Sequence, residues 1–126
     1  MAACDDGNPG SGNSPSVNTS LNGTWVDGGF EIKISGSTGV YTRLPSDTGS
    51  ALWNDAKAKG YLKVGTQYYR NISQTGTLTW SAQKLAFGWT GNPNVADGRT
   101  SYTNCTITMS SDGRTIYEGG GSATRR

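Results

Sequence analysis

Two charged residues occupy positions where a β-strand would place them beside apolar side chains. Strand alternation puts Arg70 on the same face as Tyr68, and it puts Glu118 on the same face as Ile116. If these faces are interior, each charge needs a partner, because an unmatched buried charge is very costly. Arg70 and Glu118 are therefore predicted to form an internal ion pair or to anchor the polar group of a ligand. A strand register that turns them outward is the remaining alternative.

Large aromatic side chains are the other candidates for a binding site, because their rings contribute much of the energy in apolar pockets and in sugar stacking. Trp80 and Trp89 lie in strand-like segments, where core packing is the commoner role of such a ring. Trp53 lies in a segment with no strand pattern to bury it, so its exposure would mark a binding surface. The candidate ligand-binding residues are Tyr68, Arg70, Trp80, Phe87, Trp89, Glu118 and Trp53.

Catalytic chemistry finds little support in the composition. The 126 residues include no histidine, which excludes Ser-His and Cys-His nucleophiles and histidine-containing zinc sites. Glu31 and Glu118 are the only glutamates, and no spacing pattern joins them to an aspartate as glycoside hydrolysis would require. We therefore expect no enzymatic activity, no cofactor and no metal site.

The charge distribution gives no indication of a nucleic-acid partner. The formal net charge is only +2, and the basic residues are scattered, apart from the terminal pair Arg125-Arg126. No apolar run approaches the roughly 18–20 residues of a membrane-spanning helix. The length suits one domain, which we expect to be a monomer.

From residue 21 onward, the apolar residues recur with the period of a β-strand. The predicted strands are 21–26, 30–34, 39–43, 61–64, 67–73, 78–80, 85–89, 103–109 and 114–118. Turn signals lie at 73–76, 91–94, 97–98 and 111–113. The segment 50–59 is the one helical candidate.

This order of elements predicts an all-β fold. About eight short strands with short connections form an antiparallel up-and-down meander, which either closes into a small barrel or folds over as a sandwich. Closure is favoured because it removes the exposed strand edges. The barrel domain is predicted to span 21–126, with one short helical insertion.

Residues 1–20 have a different composition, rich in Gly, Pro, Ser, Asn and Asp. Such a segment buries too little apolar surface to offset its ordering entropy, so we predict a disordered tether. Ala2-Ala3-Cys4, followed by two aspartates, resembles the processed start of a bacterial lipoprotein. The resemblance implies a lipid anchor at Cys4 and a place in the bacterial cell envelope, on the outer membrane, facing the periplasm or the surface. A Cys4–Cys105 disulfide and an unmodified thiol are the alternatives.

The predicted first strand opens with Gly23-Thr24-Trp25, which resembles the Gly-x-Trp opening of lipocalin and avidin-type (calycin-type) β-barrels. In those families the tryptophan plugs the closed end of the barrel, and a basic residue late in the chain packs over its ring. The resemblance therefore implies that Trp25 plugs the closed end. It also implies that Arg125 or Arg126 packs over the Trp25 ring in a cation–π contact.

A small barrel of this kind implies non-catalytic binding of a small apolar or amphipathic molecule. The segment 85–90 also resembles the avidin strand that brings a tryptophan to the ligand, which implies that role for Trp89. Two alternatives stay open. One is a protein-interaction module such as an envelope protease inhibitor, and the other is a carbohydrate-binding surface of exposed Trp and Tyr.

Overall fold

The computed structural model describes residues 17–126, in which eight strands and one helix form a closed antiparallel barrel. Each strand pairs with the next, and β8 returns to pair with β1. The strands are β1 Gly23–Asp27, β2 Phe30–Ser35, β3 Thr38–Arg43, β4 Gln67–Gly76, β5 Thr79–Trp89, β6 Ala96–Met109, β7 Thr115–Glu118 and β8 Gly121–Arg125, and the helix is α1 Ala51–Ala58. This up-and-down barrel confirms the predicted fold class and is consistent with a calycin-like fold; the sandwich alternative is wrong.

The helix lies in the connection between β3 and β4 and confirms the prediction for 50–59. Ser50 has an extended backbone, and its side chain accepts a hydrogen bond from the backbone N–H of Trp53, 3.4 Å away, as an N-cap does. Lys59 caps the C-terminus, and Gly60 follows with a positive φ of 81°, which ends the helix.

Two of the four predicted turns are confirmed, since 91–94 and 111–113 lie between strands. The other two are wrong. Residues 73–76 belong to β4, which is followed directly by the hairpin turn at 77–78, and Asp97-Gly98 lies inside β6. Gly98 adopts a φ of 92° where the β5–β6 register is irregular, so this glycine serves a bulge in the ladder instead of a turn.

The predicted strand at 61–64 is also wrong, because these residues form bends and turns after the helix. Leu62 is buried there against the helix and is fixed by the hydrogen bond from its backbone N–H to the carbonyl of Ala56, at 3.3 Å. Its apolar side chain packs in a core without needing a strand.

Antiparallel order gives the barrel two distinct ends. One end, called here the closed end, carries the start of β1, the β6–β7 turn and the C-terminus. The other, called the helix end, carries α1, the β5–β6 loop and the β7–β8 turn. Two apolar clusters make up the core: the first contains Leu21, Trp25, Ile34, Tyr69, Trp80, Ala82, Ile107, Met109 and Ile116, and the second contains Tyr41, Ala56, Leu62, Leu85, Phe87 and Ala96.

Trp25 seals the closed end. Its side chain is 1% exposed, and its indole N–H donates to the carbonyl of Leu21 at 3.0 Å. Arg125 stands opposite Trp25 in the β1–β8 ladder, and its guanidinium lies 4.3 Å from the indole ring centroid, within cation–π range. The last strand thus brings a cation onto the tryptophan of the first.

Arg126 lies elsewhere. Its guanidinium forms an ion pair with the carboxylate of Glu31, which is only 7% exposed although it lies on the polar face of the β2 pattern. Thr42 donates a hydrogen bond of 2.8 Å to the same carboxylate. That hydrogen bond, followed by the charge of Arg126, lowers the pKa of Glu31. Of the two terminal arginines, Arg125 therefore packs on Trp25.

Candidate functional site

A cavity of about 410 Å³ opens into the barrel at the helix end. Its wall combines aromatic rings from three strands and the helix with a few polar groups and a glycine turn. The rings are those of Phe30, Tyr41, Trp53, Tyr68 and Tyr69, the charged groups are Asp27, Lys84 and Glu118, and the turn is 119–121.

Four of the rings form a closed circuit in the cavity wall. Phe30 lies 5.5 Å from Tyr41, Tyr41 lies 5.3 Å from Tyr68, Tyr68 lies 6.1 Å from Trp53, and Trp53 lies 6.4 Å from Phe30, between ring centroids. The interplanar angles range from 39° to 86°, in the tilted and edge-on arrangements that aromatic pairs prefer. All four rings line the cavity.

A β-bulge lets two consecutive tyrosines reach this cavity. In the β3–β4 ladder, Gly39 pairs with Tyr69 and Val40 pairs with Gln67, so Tyr68 is an extra residue without a partner on β3. Such a residue escapes the alternation of the strand. Gly39 also makes room for the rings, because a Cβ there would come within 3.2 Å of the Tyr69 ring.

An ion pair between Lys84 and Glu118 lies in the cavity wall. The Lys84 ammonium donates to Oε2 of Glu118 at 2.7 Å, with side-chain exposures of 36% and 13%. The hydroxyls of Tyr68 and Tyr69 donate to Oε1 at the longer distances of 3.3 and 3.5 Å. The carboxylate thus faces the cavity with one oxygen well bonded and the other weakly bonded.

Burial and negative charge keep the cavity tyrosines neutral. Desolvation raises the pKa of Tyr41, Tyr68 and Tyr69, and the carboxylate of Glu118 raises each of them further. Asp27 at the rim adds to the effect on Tyr41 and Tyr68. The phenols therefore remain hydrogen-bond donors at neutral pH.

Three of the predicted site residues line the cavity, namely Trp53, Tyr68 and Glu118. The predicted pair of Arg70 with Glu118 is wrong. Because Tyr69 faces inward opposite Lys84, the next residue faces outward, where Arg70 donates to Gln83 at 2.8 Å and stacks on the Tyr102 ring. The outward alternative therefore holds for Arg70, and Lys84 is the partner of Glu118.

The remaining predicted residues lie on β5 outside the cavity. Trp80 is buried in the first cluster and Phe87 in the second. The β5–β6 register is regular from Trp80 to Phe87, and residues an odd number apart in a regular strand lie on opposite faces. The two side chains therefore lie on opposite faces of β5. The strand buries one face near the closed end and the other face against α1. Phe87 meets the cavity only through Trp53, at 5.0 Å between centroids. Trp89 is 46% exposed at the end of the strand.

Among the aromatic and charged residues that line the cavity, sequence reasoning missed five: Asp27, Phe30, Tyr41, Tyr69 and Lys84. The alternation in β2 and β3 could have identified Phe30 and Tyr41 as inward-facing, since both share a face with buried neighbours. No local signal indicates Lys84, because its partner lies on β7 and depends on how the barrel closes.

Cys105 is half-buried and forms no disulfide with any residue in the range 17–126. Desolvation raises the pKa of its thiol to about 11, so it is a poor nucleophile. Cys4 lies outside the described residues, so its predicted lipidation and its alternative disulfide with Cys105 stay predictions. Across 17–126, no cluster of three or more His, Cys, Asp or Glu side chains is placed to hold a metal ion.

Comparisons of the chain with protein-family models, with curated proteins and with solved structures returned no match. Within the described part of the chain, no helix combines the length and apolar character needed to cross a bilayer.

Proposed function

We propose that this protein binds a small apolar or amphipathic molecule, without catalysis, in the cavity at the helix end of the barrel. The observation that carries the proposal is a cavity whose wall combines the aromatic circuit with the Lys84–Glu118 ion pair. Ligand sites typically occupy about 300–1,000 Å³ and combine apolar walls with a few polar groups that fix orientation. The cavity, at about 410 Å³, lies within that range.

The glycine turn at the mouth supports the same proposal. Position 119 has a φ of 59°, a backbone conformation that favours glycine. Gly120 and Gly121 have no such requirement, and a Cβ would meet nothing within 4 Å at Gly120 and only the Glu118 carbonyl, at 3.6 Å, at Gly121. A glycine that lies in a strand without a bulge can mark a site where a ligand approaches the backbone closely.

The two alternative functions have weaker support. An inhibitor of the expected kind needs a filled barrel with a projecting segment, whereas this barrel holds a cavity. A glycan-binding surface needs neighbouring exposed rings. Tyr61, Trp89 and Tyr117 are the exposed aromatic residues among those described, and none of them takes part in the ring contacts found there.

Narrowing the mouth of the cavity should weaken binding without harming the fold. Gly121 faces inward beside Glu118 in the β7–β8 ladder, so Gly121→Val adds a branched side chain to the mouth. We expect the neutral amphipathic dye N-phenyl-1-naphthylamine to bind the wild type with enhanced fluorescence and to bind Gly121→Val at least about tenfold more weakly. The midpoint of thermal unfolding should stay the same or rise, because glycine is replaced where space is open.

The matched control is Gly76→Val at the closed end, where a Cβ meets only Thr79, at 3.6 Å or more. This variant should bind the dye like the wild type. Equal affinities of the wild type and Gly121→Val, or failure of the wild type to bind the dye, would contradict the proposed function.

We further propose that the domain is a bacterial envelope lipoprotein anchored through Cys4. The resemblance of residues 2–6 supports this, and so does the route of the chain, which enters beside Trp25 through the buried Leu21. This entry point is at the closed end, and the cavity mouth is at the opposite end of the barrel. Exported through a lipoprotein signal in a bacterial host, the chain should gain the mass of a lipid that Cys4→Ser lacks. An unmodified mass for the wild type would exclude the anchor.

A further inference from the structure

We propose that the cavity selects amphipathic molecules that carry a positively charged amine and discriminates against anionic ones. This inference rests on the proposed function, because it names the class of ligand for the same cavity. Three independent features of the cavity wall support it: its net charge, a weakly bonded carboxylate oxygen, and the aromatic circuit.

The charged groups that face the cavity are negative in sum. Asp27 and Glu118 line it together with one cation, Lys84. Asp27 forms no salt bridge and no side-chain hydrogen bond with any residue in 17–126, so its charge is uncompensated at the rim. A positively charged ligand would therefore gain attraction inside a partly desolvated space, where charges are screened less than in water.

Glu118 has an acceptor that a ligand could use. Oε2 is occupied by the Lys84 ammonium at 2.7 Å. Oε1 accepts only the two tyrosine hydroxyls, at 3.3 and 3.5 Å, whereas ordinary O–H···O bonds are about 2.5–3.0 Å long. An ammonium N–H directed at Oε1 would form a shorter, charge-assisted bond than either phenol provides.

The aromatic circuit suits the same group. Phe30, Tyr41, Trp53 and Tyr68 line the cavity at mutual tilts of 39° to 86°, so their faces point in several directions. The face of each ring carries partial negative charge, and cages of such rings recognise ammonium groups. An anion would instead meet two carboxylates and these ring faces with only one ammonium to balance them.

The test uses three probes that share one alkyl chain and differ in head group: octylammonium, 1-octanol and octanoate. Each is titrated calorimetrically into the full chain at pH 7 and physiological salt. We expect octylammonium to bind roughly tenfold more tightly than octanol, and octanoate to bind more weakly than octanol. Glu118→Gln should reduce the octylammonium-to-octanol affinity ratio to near one.

Asp27→Asn provides a second variant that does not disturb the interior, because Asp27 is exposed. It should reduce the same affinity ratio about threefold, while Asp112→Asn at the closed end should leave the ratio unchanged. If octanoate binds as tightly as octylammonium, the proposed selection of cationic ligands is wrong, while the proposed binding of amphipathic molecules in the cavity is unaffected. Probes whose binding is unaffected by Gly121→Val bind elsewhere, and that result would remove the proposed function as well.

Discussion

Replacement of Trp25 with alanine should lower the free energy of unfolding by about 3–5 kcal/mol, the usual cost of truncating a buried aromatic side chain. Trp25 is among the largest fully buried side chains of residues 17–126. Its loss would leave a cavity at the closed end and would remove the ring on which the guanidinium of Arg125 packs. A domain of this size has a total stability of about 5–15 kcal/mol, so the change should be apparent as a large fall in the midpoint of urea unfolding.

The chain provides a matched control for this experiment. Trp89→Ala removes the same atoms from a side chain that is 46% exposed and outside both core clusters. It should change the free energy of unfolding by less than about 1 kcal/mol. Trp25→Phe, which keeps part of the ring, should fall between the two. Equal losses for the two alanine variants would show that Trp25 does not seal the barrel.

The barrel could be predicted from sequence because it depends on signals that are local to each strand. Alternation in segments such as 30–34 marks half-buried strands, and short connections leave few topologies open. The helix at 50–59 was predictable for the same reason, since its cap and length are local features. One error arose because a glycine with positive φ can serve a bulge as well as a turn. Gly98 has the positive φ of a turn glycine, yet it serves a bulge inside β6.

The cavity was only partly predictable because it depends on register. Glu118 and Tyr68 could be proposed from alternation alone, although the bulge at Tyr68 breaks that alternation and sends Arg70 outward. The partner of Glu118 is Lys84, thirty-four residues earlier in the chain. Their meeting depends on how β5 and β7 sit across the closed barrel, which no pattern within either strand specifies.

The two ends of the barrel divide stability from the candidate site. The closed end holds a sealed tryptophan and the C-terminal strand. The helix end holds the cavity, the glycine turn and the ion pair. Substitutions at the closed end should therefore reduce stability with little direct effect on a bound ligand. Those at the helix end should alter binding first.

Arg125→Met should also be strongly destabilising, lowering the free energy of unfolding by about 2–4 kcal/mol. Methionine keeps the apolar stem over Trp25 but removes the cation and every guanidinium hydrogen bond. Those bonds run to the backbone carbonyls of Gly113, Asn22, Asn18 and Ser20, at 2.9, 3.0, 3.3 and 2.6 Å. They join the segment that leads into β1 to the β6–β7 turn, so their loss releases both from the closed end.

Arg125→Lys distinguishes the geometry of the guanidinium from its charge. An ammonium keeps the cation but cannot direct donors at several carbonyls in one plane. This variant should therefore show most of the fall in the free energy of unfolding that is expected for Arg125→Met. Arg126→Met is the matched control. The Arg126 side chain is 67% exposed and forms one ion pair, with Glu31, whose carboxylate also accepts a hydrogen bond from Thr42. Its removal should therefore cost distinctly less than that of Arg125. Urea unfolding, together with hydrogen exchange of residues 18–22, provides both readouts. If Arg125→Lys is as stable as the wild type, the cation alone holds the closed end together. The hydrogen bonds from the guanidinium to the four backbone carbonyls would then contribute little.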